Sequence, residues 1–466
     1  MSRYLAIDLG SSSIKLARVD ASSLQIDGAR SRPFPEPSPS AIPGSFEIEL
    51  DPIVAAVREL IAESLAETDD IEGIVWCSQM GGVVLLDAHG RPLGRYLSWR
   101  DRRTEEGTGA RELARRYGTG GDEGSFLTTL RRVIPHDDLR RIGNELRPGS
   151  ATALLAWLTI TGQMPERAAG AATLGDVVIA QLCAAPCVTD PTCALGLLDL
   201  ERFDWHHALF ERLGFGAIAW PRLVRDGSSC GTIAVDGPGR GLPCWPAIGD
   251  HQASLIGVDL EPGELSINVS TGSQVSRIVE RFEPRELQVR PYPGGRMLET
   301  ITHLPAGRAL QGLVDLFAEL TRCETRESFD PWREIERLSR EATPRGIEVD
   351  LTLHDGPTGH TGSIVGLTLE NLSIGSIFAA AFDDMAARYE RCALRLDPSR
   401  SWSRTVLSGG LPRRLTALRQ AIERRLADRP LRAPESAEAA LEGLARFARD
   451  RLDRPTTAGE SRSLSP

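Results

Sequence analysis

Eight residues near the N-terminus, Asp8-Leu9-Gly10-Ser11-Ser12-Ser13-Ile14-Lys15, bring together four groups suited to a nucleotide phosphate. A tight turn can aim backbone N–H groups at an anion, the Ser hydroxyls add donors, Lys15 supplies a compact positive charge, and Asp8 can hold a Mg²⁺-bound water. The stretch is not a Walker A loop, because the glycine and lysine spacing of that motif is absent. Taken alone it reads equally as a surface hairpin whose Ser and Gly serve the turn. Lys15 is the only lysine among 54 Lys and Arg, and its position inside this hairpin favours the phosphate reading.

A second turn, Ser270-Thr271-Gly272-Ser273, offers the same kinds of donor without a cation. Two such hairpins facing each other across a cleft could clamp a triphosphate, and phosphoryl transfer needs mainly that positioning and charge neutralisation. Asp250 follows an apolar strand and Gly249, where a cleft would open, so it is a candidate general base for a substrate hydroxyl, with a helix N-cap as the plain structural alternative. His251, next to it, is a substrate contact or a helix N-terminal residue. Gln79, Met80, Trp99, Asp101 and Arg103 follow strands and have the chemistry of a polyol site, in which planar bidentate groups and an aromatic face hold hydroxyls. A salt-bridged turn with a half-buried Trp explains the same residues. Gly409 and Gly410 precede a helix and would let a nucleotide base or ribose approach the backbone, or form a plain turn.

The elements that must position these residues alternate between strand and helix. Residues 4–20 read as a hairpin, 51–68 as a helix with Ile53, Val57, Leu60 and Ile61 on one face, 71–77 as a buried strand and 82–93 as a second hairpin. Residues 105–150 have weak periodicity and read as an insertion or cap. Helical patterns follow at 151–161, 173–184 and 201–213, and turn formers at 237–243 mark a lobe boundary. Residues 264–279 repeat the pattern of the opening hairpin, which suggests that one lobe is a divergent copy of the other. Further helices are expected at 307–321, 374–396, 412–427 and 436–452. The expected organisation is an α/β protein with an N-terminal lobe at 1–243, a C-terminal lobe at 244–452 and a disordered tail at 453–466.

Composition narrows the class. With 466 residues, 41% hydrophobic and 25% charged, the chain is globular, and its net charge of −10 argues against non-specific nucleic-acid binding. The eight cysteines include no Cys-x-x-Cys pair and read as reduced thiols. No signal-like h-region or run of ~18 apolar residues occurs, so a cytoplasmic protein without membrane contact is expected. No residue pattern encodes the oligomeric state, a homodimer included.

In order and spacing these motifs resemble the FGGY carbohydrate kinases of the actin-like ATPase superfamily, from about residue 4 to about residue 448, with 105–148 poorly matched. The resemblance implies two RNase H-like lobes flanking a central cleft, ATP with Mg²⁺, and transfer of the γ-phosphate to a sugar or polyol hydroxyl. By position it makes Asp8 the metal-side acid, Gly10, Ser11, Ser12 and Lys15 the first phosphate loop, and Thr271 with Gly272 the second. It makes Gly409 and Gly410 the adenosine site, Asp250 the catalytic base, and Gln79, Met80, Trp99, Asp101 and Arg103 residues that contact or frame the sugar. The segments around 249–254 and 267–276 are most similar to those of sedoheptulokinases, which phosphorylate a seven-carbon ketose at its terminal hydroxyl. Gln79-Met80 also fits ketose kinases rather than glycerol kinases, although Gly81 stands where ketose kinases usually have His, and Ser11-Ser12 where Thr-Thr is common. The expectation is an ATP-dependent ketose kinase, sedoheptulose being the first acceptor to test. A kinase for xylulose or another sugar, a catalytically silent sugar-sensing pseudokinase and an ATPase without a sugar acceptor are the alternatives.

Overall fold

The computed structural model describes residues 2–68, 70–119, 124–225, 227–319, 330–353, 361–435 and 438–451. Cys323, Ser436 and the expected tail at 453–466 lie outside the described residues.

Strands β1 (Arg3–Leu9) and β2 (Ser13–Asp20) form the antiparallel hairpin read from the sequence, with Asp8 directly opposite Lys15. Edge strand β3 (Ile26–Pro33) pairs with β2 and alternates half-buried with exposed positions. Helix α1 (Leu50–Leu65) lays Ile53, Val57, Leu60 and Ile61 against Leu5, Ile7, Ile74 and Trp76. That places it over one face of the sheet, since alternate strand residues point to opposite faces. Strand β4 (Ile71–Ser78) runs parallel to β1. Helix α2 (Leu174–Cys183), opened by a Thr173–Asp176 capping box, joins α1 on that face. Short strands β5 (Gly231–Thr232), β6 (Pro243–Cys244) and β7 (Ile248–Gly249) complete a seven-stranded sheet of order β5-β6-β4-β1-β2-β3, with β7 also on β4.

After helix α3 (Asp250–Gly257) comes a second sheet of six strands. Strands β8 (Glu264–Val269) and β9 (Ser273–Val279) form its hairpin, followed by β10 (Gln288–Tyr292), β11 (Arg296–Leu304), β12 (Arg404–Ser408) and β13 (Leu431–Arg432), in the order β10-β11-β9-β8-β12-β13. Strand β8 is antiparallel to β9 and parallel to β12, as β1 is antiparallel to β2 and parallel to β4. The two sheets therefore share a local plan, in line with the repeated hairpin pattern. Helix α4 (Ile374–Leu396) buries Phe378, Phe382, Met385 and Tyr389 against this sheet.

Packing divides the chain differently from a cut after residue 243. Strands β6 and β7 extend the first sheet, and the last helix, α5 (Ala439–Arg451), returns to it, burying Leu441, Leu444, Ala445 and Ala448 with Tyr4, Ala6, Val75 and Cys77. Helices α3 and α5 touch backbone to backbone: a Cβ on Gly257 would lie 1.9 Å from the Ala439 carbonyl oxygen, and one on Gly443 would lie 1.8 Å from that of Ala253.

Helices at 151–160, 174–183 and 374–396 match their expected spans within a residue. The expected helix at 201–213 is shorter, because residues 204–205 pair with 198–199 as a small hairpin after Phe203 at φ +55°, leaving a helix only at His207–Leu213. The helix expected at 412–427 is two, Gly410–Arg414 and Thr416–Arg425. Among the described residues, 105–150 carry three helices, Ala110–Tyr117, Phe126–Val133 and His136–Arg141, whose core includes Val289 and Met297 of the second sheet. The region bridges the sheets: Gly143, at φ +69°, accepts from the Val289 N–H, and the Asn144 amide donates to the carbonyls of Arg285 and Leu287 at 2.8 and 2.7 Å. The described cysteines are free thiols, and among the described residues no helix is long and apolar enough to cross a membrane.

Candidate active site

Parallel strands leave their carboxyl ends along one edge, and ligands of open α/β sheets collect there. Here the parallel register sets Leu9 beside Ser78, and Gly249 beside the same Ser78, so the residues at or just past the three strand ends include Asp8, Gln79 and Asp250. All three line one cavity of about 350 Å³, within the usual size of a small-molecule site. Gly10, Ser11, Met80, Trp99 and His251 line it as well.

Gln79 is fixed before any ligand arrives. Its amide nitrogen Nε2 donates to the Gly10 carbonyl at 3.2 Å, and Oε1 accepts from the Trp99 indole N–H at 2.9 Å. The indole thus stands as a wall of the cavity. Gly81 follows at φ +83° with the Trp99 Cβ 3.1 Å from where its own Cβ would be. A side chain at this position would be strained, which accounts for glycine where ketose kinases usually have His.

Burial raises the Asp250 carboxyl to about 7, and the nearby Asp8 carboxylate adds to the shift. Asp8 is itself raised to about 6 by burial, and the Cys77 thiol, donating at 3.4 Å, and the charge of Lys15 only partly offset that. The N-cap alternative for Asp250 does not apply, since the cap of α3 is Gly249, although Asp250 Oδ1 does accept the His251 N–H at 2.8 Å. Two carboxylates that burial drives toward neutrality in one polar cavity can accept a hydroxyl proton and bind a cation. Among the described residues no group of three or more Asp, Glu, His or Cys could hold a metal unaided. Mg²⁺ needs no such group, because it binds through one or two carboxylates and substrate phosphates.

His251 lines the cavity and sits in the first turn of α3, the two places expected of it, with its ring nitrogens turned to protein partners. Its Nδ1 accepts from Arg290 Nη1 at 3.1 Å, because arginine can only donate, which puts the ring proton on Nε2, 3.4 Å from Ser276 Oγ. Burial and the Arg290 charge both hold the ring far below its ordinary value, hence neutral. With both nitrogens engaged, the ring anchors α3 to the second sheet and offers the cavity its carbon edge. Asp101 and Arg103 do not line the cavity. They form a fully buried pair at 2.7 Å that also binds Glu47 at 2.6 Å and the Phe46 N–H at 2.7 Å, and so frame the turn that carries Trp99.

Lys15 also stands outside the cavity lining and pairs with Glu438, just before α5, at 2.6 Å. Ser12, Thr271 and Gly272 are exposed hairpin positions. Gly409, at φ +98°, sits beside that second hairpin, because a Cβ there would be 2.2 Å from the Val269 carbonyl oxygen. Asn268 Nδ2 donates to Ser408 Oγ at 3.1 Å, so the ends of β8 and β12 present 270–272 and 409–410 side by side. Thr271, Gly272, Gly409 and Gly410 thus gather on the second sheet, whereas Ser12 and Lys15 belong to the hairpin of the first.

Sequence reasoning missed one wall altogether. Glu145, Arg147, Gly149 and Ser150 from the bridging region, with Gln274, Arg290, Thr302 and His303 from the second sheet, complete the cavity. The segment 105–150 has no periodicity that would reveal this. Arg290 and Thr302 sit on strands whose side chains alternate between core and cleft, and nothing local marks them.

Residues 3–116 match the family model described as "FGGY family of carbohydrate kinases, N-terminal domain". A glycerol kinase of Azorhizobium caulinodans is 28% identical over 292 residues, 59% of this chain and 54% of that protein. An L-fuculokinase of Salmonella typhi is 25% identical over 380 residues, covering 78% and 74%. The chain thus aligns with little over half the length of the glycerol kinase. Among solved structures, the ligand-bound xylulose kinase from Lactobacillus acidophilus superposes with a TM-score of 0.79 at 18% identity, over 98% of this chain and 91% of that one. At that identity the likeness speaks for the fold.

Proposed function

We propose that this chain, which matches the N-terminal domain model of the FGGY carbohydrate kinases over residues 3–116 and shares the fold of a xylulose kinase over nearly its whole length, is a member of that family and transfers the γ-phosphoryl group of ATP to a hydroxyl of a sugar or polyol. Asp250 takes the hydroxyl proton as the new oxygen–phosphorus bond forms, and the bond to the ADP oxygen breaks as ADP leaves. When bound, Mg²⁺ neutralises charge on the phosphates. Asp8, at the end of β1, would hold it. Gln79 and Trp99 orient the acceptor, and the loops 270–272 and 409–410 bind the nucleotide. The observation that carries this reading is the shared cavity, where Asp8 and Asp250, both raised by burial, meet the fixed Gln79–Trp99 pair.

The finer proposal is a ketose acceptor phosphorylated at its terminal hydroxyl, with sedoheptulose ahead of xylulose. It rests on Gln79-Met80 and on the segments around Asp250 and Thr271. A coupled ADP-release assay over ketoses, aldoses and polyols of three to seven carbons tests both levels. ATP-dependent phosphorylation of at least one acceptor is expected. Ligand-induced stabilisation without any turnover would instead establish the silent sugar sensor, and ATP hydrolysis without sugar stimulation an ATPase of another kind.

Lys15 gives a narrower test. Its ammonium is held by Glu438 opposite Asp8, and a guanidinium is a larger, planar fork where the ammonium is a compact point charge, so the two are not interchangeable here. Lys15→Arg is expected to raise KM for ATP a few-fold and leave KM for the sugar unchanged. Steady-state kinetics with each substrate varied in turn checks it, and unaltered ATP kinetics would remove Lys15 from the phosphate loop.

A further inference from the structure

The wall that sequence reading missed is charged in an unbalanced way. Glu145, 1% exposed, accepts from Arg290 Nε at 2.6 Å and from the Gln288 amide at 2.8 Å, and its other oxygen lies 3.4 Å from Arg147 Nε. Both arginines hold its carboxyl below the ordinary range in spite of burial. Two guanidiniums, one from the bridging region and one from the second sheet, therefore share a single carboxylate. His251 adds no charge, because its Nδ1 accepts from Arg290. Asp250 feels the Arg290 charge, yet burial and Asp8 outweigh it.

Arg147 is the less satisfied of the two. Its hydrogen bonds are the long one to Glu145 and one to Thr302 Oγ1 at 3.3 Å. Desolvation lowers its affinity for its own proton. The Arg147 side chain is 30% exposed and lines the cavity, and guanidinium N–H groups are matched by planar two-oxygen anions. The backbone that carries the arginine is held by hydrogen bonds. Ser150 Oγ donates to the Arg147 carbonyl at 2.8 Å while capping the next helix, Thr104 Oγ1 binds the Pro148 carbonyl at 2.9 Å, and Gly82 N–H binds the Gly149 carbonyl at 2.9 Å. A Cβ on Gly149 would lie 2.0 Å from the Trp99 carbonyl oxygen, so this loop is packed onto the turn that presents the indole.

We propose that Arg147 and Arg290 form a subsite for a carboxylate of the acceptor, so that the preferred substrate is a sugar acid, an aldonate or ketoaldonate, rather than a neutral sugar. The inference rests on the kinase reading and puts an acid ahead of the neutral ketoses sedoheptulose and xylulose as acceptor; a ketoaldonate keeps the ketone of the ketose reading. The nucleotide phosphates are the other anion at hand: Asp8, Gly10 and Ser11 of the first phosphate loop line the same cavity, whereas the loops at 270–272 and 409–410 and Lys15 lie outside its lining, and Arg147 sits on the loop whose Gly149 packs against Trp99.

The test compares matched pairs, aldonates and ketoaldonates against alditols and ketoses of five to seven carbons, by ADP release with wild type, Arg147→Met and Arg147→Lys, and by thermal shift with the same acids without ATP. The expected result is a kcat/KM for the best acid at least 100-fold above that of its neutral counterpart. In Arg147→Met that ratio falls toward one through a rise in KM for the acid, and Arg147→Lys recovers part of it. Phosphorylation of neutral acceptors as well as or better than acids would overturn the subsite and leave the kinase reading standing. A rise in KM for ATP instead of the acid in Arg147→Met would overturn it in favour of a phosphate contact. Acids that raise Tm through Arg147 without any turnover would support the subsite and sink the kinase reading, while neither turnover nor a shift in Tm would overturn both.

Discussion

Asp250→Asn is expected to lower kcat about 1,000-fold, with KM for ATP and acceptor changed only a few-fold, and to raise Tm. The first effect follows if the carboxylate is the base, since a positioned base contributes roughly 10² to 10⁴ in rate. The second follows from its burial. The Asp250 carboxyl is raised to about 7 in the folded chain, against about 3.9 when unfolded. Between these values the folded state binds the proton and the unfolded state does not, so stability falls as pH rises through this window and levels off above about 7. Asparagine carries no such dependence. The variant should therefore match wild type near pH 4 and exceed it at pH 8 by on the order of 2 kcal/mol, after allowing for the carboxylate's partial access to solvent. Tm measured at the two pH values checks the sign, and a variant equally stable or less stable at pH 8 would refute this account of the site's electrostatics. The same group sets an acidic limb in kcat/KM near pH 7, because the free enzyme must ionise Asp250. The limb in kcat should lie lower, since a bound cation favours the carboxylate. Full turnover in Asp250→Asn would remove the residue from the chemistry.

What could be read from the sequence follows from how local each signal is. The hairpin at 4–20 and the face of α1 are set by residues a few positions apart, so period and turn chemistry were enough to find them. Asp8, Gln79 and Asp250 were legible as well, because a carboxylate or carboxamide just past an apolar strand lies where parallel strands end together. The pairing of Asp101 with Arg103 was harder to judge. The same residues serve a polyol or a buried turn, and only their burial with Glu47 tells which. His251 could not be assigned from its neighbour Asp250, since its partners Arg290 and Ser276 lie on strands 39 and 25 positions away. Glu145 and Arg147 sit in an irregular segment, where orientation is set by Gly143 and Asn144 docking on strand β10, a contact across more than 140 positions. The return of α5 to the first sheet is of the same kind: its apolar stripe predicts a helix, but not which sheet it covers.

That return makes Gly443→Ala the second large effect. Helix propensity alone would have the substitution stabilise α5 by about 1 kcal/mol. Contact geometry predicts the opposite sign, because the new Cβ would lie 1.8 Å from the Ala253 carbonyl oxygen and 3.0 Å from the Gly257 nitrogen. These neighbours are backbone, so no side-chain rotation relieves the clash and the two helices must move apart. Such overpacking costs about 3 kcal/mol. A lower urea midpoint at unchanged slope is the expected readout, with Arg449→Ala, on the exposed side of the same helix, within about 0.5 kcal/mol of wild type. The displacement should also reach the cavity. Glu438, which holds Lys15, and Ala440, which lines the cavity, lie at the start of this helix. Activity measured where Gly443→Ala is still folded should therefore show a raised KM for ATP. Loss of stability with unchanged ATP kinetics would mean that α5 packs the first sheet without positioning the site, whereas loss of both ties the helix contact to the proposed phosphate loop.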